Sequence, residues 1–234
     1  MKTFFCKNFT LTLALLIVIS LLVPTSCNDD YYHPKLEGNP NPQNNKPVEE
    51  TEEEEKESEI IYSLFLNKDG INYISLNTKG LIAEKDHWDF KMSNIYASSI
   101  NANTSLSGRL NFIDIEFDSV TVEKILEKFG PKNSFNNKFQ NLKNFGMHHL
   151  VGNTEGWAKY DMKTHLVTPL PNRTLLLITN DQTDSTKHKL FKIKITSIYE
   201  NNILNPTIAD KTKVPYLNCK FEQLNINIDD LITY

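Results

Sequence analysis

Short segments that mix β-branched and aromatic residues with polar ones make up most of the chain after residue 59. In the clearest of them, residues 190–195, apolar side chains alternate with lysines, which is the two-residue period of a strand with one buried face. Turn-forming residues separate these segments. The pattern predicts strands at 60–66, 71–76, 87–97, 110–117, 157–162, 174–179, 189–199 and 216–228. We therefore expect an all-β, antiparallel fold.

Two turn clusters lie near the start of this region, NKDG at 67–70 and NTKG at 77–80. Their Asn, Asp and Gly residues tolerate the backbone conformations of tight turns. Because each cluster follows a predicted strand, we expect each to close a β-hairpin.

One short helix is predicted among the strands. Four apolar residues recur at helical spacing and would share one face: Val122, Ile125, Leu126 and Phe129. Thr121 stands where a helix cap is expected, and Gly130 followed by proline would end the helix. The next stretch, residues 132–144, is rich in Asn and Lys and is predicted to be a long loop.

The first 26 residues have the layout of a secretory leader. Lys2 and Lys7 stand near a short positive start, and residues 9–23 are almost purely apolar until Pro24 interrupts them. Two small residues then lead to Cys27, and this arrangement resembles the bacterial lipobox. We expect residues 1–26 to be a lipoprotein signal peptide and Cys27 to carry the lipid. An ordinary cleaved leader with a free Cys27 is the alternative.

Residues 27–59 combine Asn, Pro and Glu with few aliphatic side chains. Such a segment buries too little apolar surface to offset the entropy of ordering, so we expect a disordered acidic tether. Eight of the eleven residues from 49 to 59 are glutamate, which more than accounts for the net charge of -4. The domain at 60–234 is then nearly neutral and lacks the basic excess that binding to nucleic acid requires.

Cysteine usage leaves the domain without a disulfide. Cys6 would be removed with the leader and Cys27 would carry lipid, so Cys219 alone remains in the folded region. Because it lies in a predicted strand, we expect Cys219 to be a small core residue rather than a reactive thiol.

Three stretches in order carry a family resemblance: IIYSLFLNKDGINYISL at 60–76, HWDFKMSNIYASSINANTSLSGRL at 87–110, and GWAKYDMKTHLVTPLPNRTLLLITNDQTDSTKHKLFKIKITSIYE at 156–200. With the lipidated cysteine ahead of them, they resemble the HmuY-like haem-binding lipoproteins of Bacteroidetes. The resemblance implies an all-β domain that captures haem at the cell surface. It also implies that the haem passes to a TonB-dependent receptor in the outer membrane, where the lipid anchor holds the protein.

The resemblance also suggests candidate ligands for the haem iron. In the family one axial ligand follows the Trp by five residues, and that position is Met162 here. The other ligand comes from the loop before the Trp, where this chain offers Met147, His148 and His149. A methionine thioether is an accepted haem ligand and suits reduced iron.

Each of these residues also has an ordinary interpretation. A methionine at the end of a strand often fills a gap in the core, and histidines in loops are usually solvated. His165 is expected to be a surface turn residue, and Trp88 and Trp157 to be core anchors.

The sequence lacks the common catalytic motifs, including a nucleophile elbow, a zinc-protease helix and a phosphate-binding glycine loop. We therefore expect a binding protein and not an enzyme. The rival to haem capture is a surface adhesion module, for glycan or protein, that uses the same scaffold without haem.

Overall fold

The computed structural model describes residues 58–148, 156–184 and 186–232. The predicted leader, Cys27, the tether as far as residue 57, and His149 lie outside the described residues. Among the helices in the described ranges, none has both the length and the apolar character needed to span a membrane.

Twelve strands and two α-helices are formed by the described residues. The strands are β1 (Glu59–Phe65), β2 (Asn72–Ser75), β3 (Gly80–Ile82), β4 (Phe90–Ser93), β5 (Ser99–Ala102), β6 (Arg109–Asp114), β7 (Met147–His148), β8 (Ala158–Tyr160), β9 (Val167–Pro169), β10 (Arg173–Asn180), β11 (His188–Ser197) and β12 (Tyr216–Gln223). The helices are α1 (Val122–Phe129) and α2 (Lys132–Lys138). The predicted all-β fold is confirmed.

The largest sheet has five antiparallel strands in the order β1-β12-β11-β10-β6. Successive side chains of a strand point to opposite faces. Along β10, Leu175 and Leu177 enter one hydrophobic core, whereas Leu176 and Ile178 enter a second core on the opposite face. The second core contains residues of α1 and α2, so both faces of β10 are covered and every residue of the strand is buried.

Two smaller sheets complete the fold. The strands β3-β2-β4-β5 form an antiparallel sheet, and β7-β8-β9 form a three-stranded sheet in which β7 and β8 run parallel. Asp89 connects the four-stranded sheet to the large one. Its Oδ2 accepts a hydrogen bond from the N–H of Leu76 at 2.7 Å, and its Oδ1 accepts one from Thr179 Oγ1 at 2.8 Å.

The hairpin predictions are half right. The turn at 77–80 joins β2 to β3 in a hairpin, with Ser75 paired to Gly80. The turn at 67–70 does not form one, because β1 pairs with β12 instead of β2. This turn carries the chain from one sheet to another, a distinction that local turn chemistry does not make.

The predicted strand at 87–97 is too long. Only Phe90–Ser93 is extended, and a 3-10 turn follows at Ile95–Ala97. Tyr96 interrupts this turn with a left-handed backbone, at a φ of 56° and a ψ of 31°. The β-branched and aromatic residues that suggested a strand therefore form an exposed corner instead.

The prediction of a loop over 132–144 is wrong for its first half. Residues Lys132–Lys138 form α2, which starts after Pro131 at the N-cap position. Phe135, and Phe139 at its C-terminal end, are fully buried and contact Phe129 of α1. The Asn and Lys content concealed this i, i+4 aromatic pair, because two apolar residues are too few to reveal a period. α1 itself forms over 122–129 as predicted, and Thr121 caps it by accepting from the N–H of Lys124.

Cys219 is a core residue, as predicted. It lies in the middle of β12 and is 1% exposed. Burial raises the pKa of its thiol to about 12, so the nucleophilic thiolate is suppressed in the folded protein. Trp88 and Trp157 are also buried, which confirms their predicted role as core anchors.

Candidate functional site

Met162 lies on a hydrogen-bonded turn directly after β8. The Oδ1 atom of Asp161 accepts from the N–H of Lys163 at 2.7 Å and from the N–H of Thr164 at 3.1 Å. These hydrogen bonds hold the pKa of the Asp161 carboxyl below its usual value. The turn closes when the N–H of His165 donates to the carbonyl oxygen of Asp161 at 2.7 Å. Met162 is 59% exposed, so it does not fill a gap in the core.

The start of β8 is anchored deeply in the domain. Trp157 is 2% exposed, and its Nε1 donates to the carbonyl oxygen of Ser98 at 2.8 Å. Beside it, the buried guanidinium of Arg173 donates to the carbonyl oxygen of Gly156 and pairs with Asp114 at 2.7 Å. The position of the strand that leads to Met162 is therefore fixed at its N-terminal end by contacts with buried residues.

Met147 and His148 form β7, next to β8. The register pairs Met147 with Ala158 and His148 with Lys159. Because the two strands are parallel, the chain leaves β7 in the direction of the Met162 turn. The structure thus pairs the strand of Met147 and His148 with the strand that leads to the Met162 turn, although Met147 itself pairs four residues before Met162.

The side chain of Met147 is half-buried and packs against the main core. It also borders an open groove of about 640 Å³ in which the rings of Phe112 and Phe145 stack at a centroid distance of 5.3 Å. Met147 therefore combines a packing role with access to a groove, whereas Met162 is free of the core.

A cavity of about 350 Å³ lies against the Met162 turn. Its wall includes Tyr160 and His165, the two residues that flank this turn, and Tyr96 and Tyr199 from distant parts of the chain. The hydroxyl group of Tyr160 and Nδ1 of His165 are 2.6 Å apart. Tyr199 is held by the N–H of Val167, which donates to its Oη at 2.9 Å, and burial raises its pKa.

His165 is an exposed turn residue, as predicted, but it also has a structural partner in Tyr160. The three tyrosines of the cavity were missed at the sequence level. They come from the corner after β4, from β8 and from the segment just after β11. No spacing rule connects residues so far apart. Within the described ranges, no group of three or more His, Cys, Asp and Glu side chains is arranged to hold a metal ion.

Comparison of the chain with protein-family models and with curated proteins finds no match. The function is therefore inferred from the sequence pattern and from the geometry around the Met162 turn.

Proposed function

We propose that this protein is a haem-binding lipoprotein, anchored to the outer membrane through Cys27, that captures haem at the cell surface and passes it to a TonB-dependent receptor. It acts by binding, not by catalysis. The observation that carries the proposal is the exposed side chain of Met162 on a hydrogen-bonded turn directly after β8, the strand that pairs with Met147 and His148. The family resemblance of residues 58–200 supports the same function.

The donor set suits haem iron. A thioether is a soft, uncharged ligand that binds haem iron without losing a proton. Met162 is available for this because its side chain is exposed while the turn beneath it is fixed by Asp161. The second axial ligand would come from Met147, His148 or His149.

A second candidate function is the glycan- or protein-binding module without haem. It is favoured by a separate cavity of about 270 Å³ between β2 and the turn that joins β10 to β11. This cavity is lined mainly by polar side chains, among them Asn77, Gln182 and Gln223, with the half-buried ring of Phe191 as an apolar wall. Amides and an aromatic ring are suited to a sugar.

Titration with haemin, followed by absorbance, separates the two functions. We expect a saturable shift of the Soret band with a one-to-one end point. A flat response below about 10 µM haemin would contradict the haem proposal, since micromolar affinity is already weak for a carrier. It would favour the glycan- or protein-binding module.

We expect Met162→Ala to weaken haem binding more than tenfold, or about 1.4 kcal/mol, because it removes an axial ligand. The side chain is exposed, so circular dichroism should show an unchanged fold. Leu204→Ala is the matched control, because Leu204 is also 59% exposed and lies outside the candidate segments. Equal affinity of Met162→Ala and the control would exclude Met162 as a ligand. Alanine variants of Met147, His148 and His149, made one at a time, should include one with the same loss.

The dependence of affinity on redox state and pH should identify the second ligand. Reduction with dithionite is expected to tighten binding, because the soft thioether of Met162 prefers ferrous iron. If Met147 is the partner, affinity at a pH of about 5.5 should stay close to that at a pH of about 7.5, whereas a histidine ligand would be protonated below about 6.5. Tighter binding of ferric haem, together with a steep loss in acid, would indicate two nitrogen ligands and contradict the assignment of Met162.

A further inference from the structure

We infer that the tyrosine-lined cavity beside the Met162 turn receives one edge of the porphyrin ring, so that the protein holds the macrocycle separately from its iron. This inference rests on the proposed function and adds to it the residues that contact the ring. It concerns Tyr96, Tyr160 and Lys211, none of which is a candidate iron ligand.

The cavity adjoins the Met162 turn. Tyr160 and His165 form part of its wall, and residues 161–164, which include Met162, connect them. Met162 itself is not part of the wall, so a ligand whose iron it binds would reach the cavity across this short turn. Its volume of about 350 Å³ lies in the range of roughly 300–1,000 Å³ that is typical of small-molecule sites, enough for part of a macrocycle.

The chemistry of the wall is the second argument. The half-buried Val214 supplies aliphatic surface to the wall, which also includes the buried Val167 and Ile198. Aromatic rings and aliphatic side chains together make the kind of surface on which a flat conjugated ligand packs. Tyr199 is 1% exposed and its Oη accepts from the N–H of Val167, so this residue supports the wall from the core and is not a contact surface.

The backbone of the wall is the third argument. Tyr96 and His165 both have left-handed backbones, with φ angles of 56° and 58°. Such conformations are unfavourable for residues with a Cβ and persist where the surrounding structure holds them; eight other non-glycine residues in the described ranges also have a positive φ. Tyr96 is held there because its N–H donates to the carbonyl oxygen of Lys68 at 3.0 Å. Its ring, with the residue 42% exposed, stands at the rim of the cavity.

Charge is the fourth argument. Lys211 is exposed at the rim, and the wall of the cavity contains no carboxylate. Three acids adjoin wall residues along the chain: Asp210 is paired with Lys213 at 2.9 Å, Asp161 accepts two backbone N–H groups, and Glu200 follows Tyr199. Lys211 is the cation that the wall offers to a ligand, and a propionate group of haem would supply its partner.

The groove beside Met147 is the alternative place for the ring. Its stacked Phe112 and Phe145 are also apolar, and Lys143 lies at its edge. It is wider and more open, and it does not adjoin the Met162 turn. The tyrosine-lined cavity is therefore the better match to a ligand bound by Met162.

Metal-free protoporphyrin IX tests the inference, because it retains the ring and the propionates but cannot be ligated through iron. We expect the purified protein to bind it, as measured by porphyrin fluorescence. Tyr96→Asn should lower the affinity for both protoporphyrin and haemin about tenfold, since it removes an aromatic contact while Asn tolerates the left-handed backbone. Lys211→Ala should lower both affinities about threefold. Met162→Ala should lower the affinity for haemin alone.

Two controls keep the result specific. Tyr62→Asn removes an exposed tyrosine from β1, and Lys143→Ala removes the lysine of the Met147 groove. Neither should change either affinity. If haemin binds but Tyr96→Asn and Lys211→Ala leave both affinities unchanged, or if Lys143→Ala has the larger effect, the inference is overturned and the proposed function stands. If neither haemin nor protoporphyrin binds, the proposed function fails and the inference with it.

Discussion

Replacing Asp89 with alanine is expected to lower the free energy of unfolding by about 3 kcal/mol, because two buried donors lose their acceptor. The N–H of Leu76 and the hydroxyl of Thr179 both donate to this carboxylate, which is 3% exposed. Leu76 and Thr179 are each only 2% exposed, so solvent has little access to either donor. Urea unfolding of the wild type and the variant measures the loss. A change below about 1 kcal/mol would mean that the two sheets do not depend on Asp89.

The same residue gives a pH dependence with a definite sign. Burial raises the pKa of Asp89 above its unfolded value of 3.8. The folded protein therefore holds the proton of Asp89 more tightly than the unfolded chain does. The resulting contribution to the free energy of unfolding is complete below a pH of 3.8 and is lost as the pH rises through the pKa of Asp89 in the folded protein. The wild type should gain stability relative to Asp89→Asn as the pH falls from neutral toward this window. Urea unfolding of both proteins at a series of pH values measures this difference, and a difference that does not change with pH would contradict the prediction.

Replacing Arg173 with alanine is also expected to lower the free energy of unfolding by about 3 kcal/mol, because its buried guanidinium contacts three groups and all three contacts would be lost. Its guanidinium pairs with Asp114, donates to the carbonyl oxygen of Gly156 and lies 3.8 Å from the centre of the Phe112 ring. Arg173→Lys should recover less than half of the loss, because an ammonium group cannot bond in two fixed directions.

Lys220→Ala provides the comparison for Arg173. Lys220 and Asp118 form an ion pair at 2.8 Å, but both side chains are partly or largely exposed, and such pairs contribute below about 1 kcal/mol. Thermal and urea unfolding should show that Arg173→Ala is much less stable than Lys220→Ala. Equal effects would show that the buried guanidinium contributes no more than a surface charge.

Local patterns predicted the parts of the fold that depend on local physics. The alternation in residues 190–195 marks β11, and Thr121 with the apolar spacing after it marks α1. α2 was missed because its stability comes from Phe135 and Phe139 packing against Phe129, a tertiary contact that a polar segment conceals. Tertiary packing overrides composition here.

The candidate site was predictable only in part. The position of Met162 after Trp157 could be read from the chain, but its exposure on a fixed turn depends on hydrogen bonds to Asp161. Met147 and His148 lie beside β8 because β7 and β8 pair in parallel, and no local feature of the sequence predicts this pairing. The Trp88-Asp89 pair was visible as a motif, yet the role of Asp89 requires Thr179, ninety residues away.

The large sheet with a core on each face has a consequence for cooperativity. β10 supplies alternate side chains to both cores, so neither core can open without uncovering a row of leucine and isoleucine on the same strand. The domain should therefore unfold as one unit. A substitution in the helical core, far from the Met162 turn, would then lower the folded population on both sides equally. Its effect on binding should disappear once affinity is expressed per folded molecule.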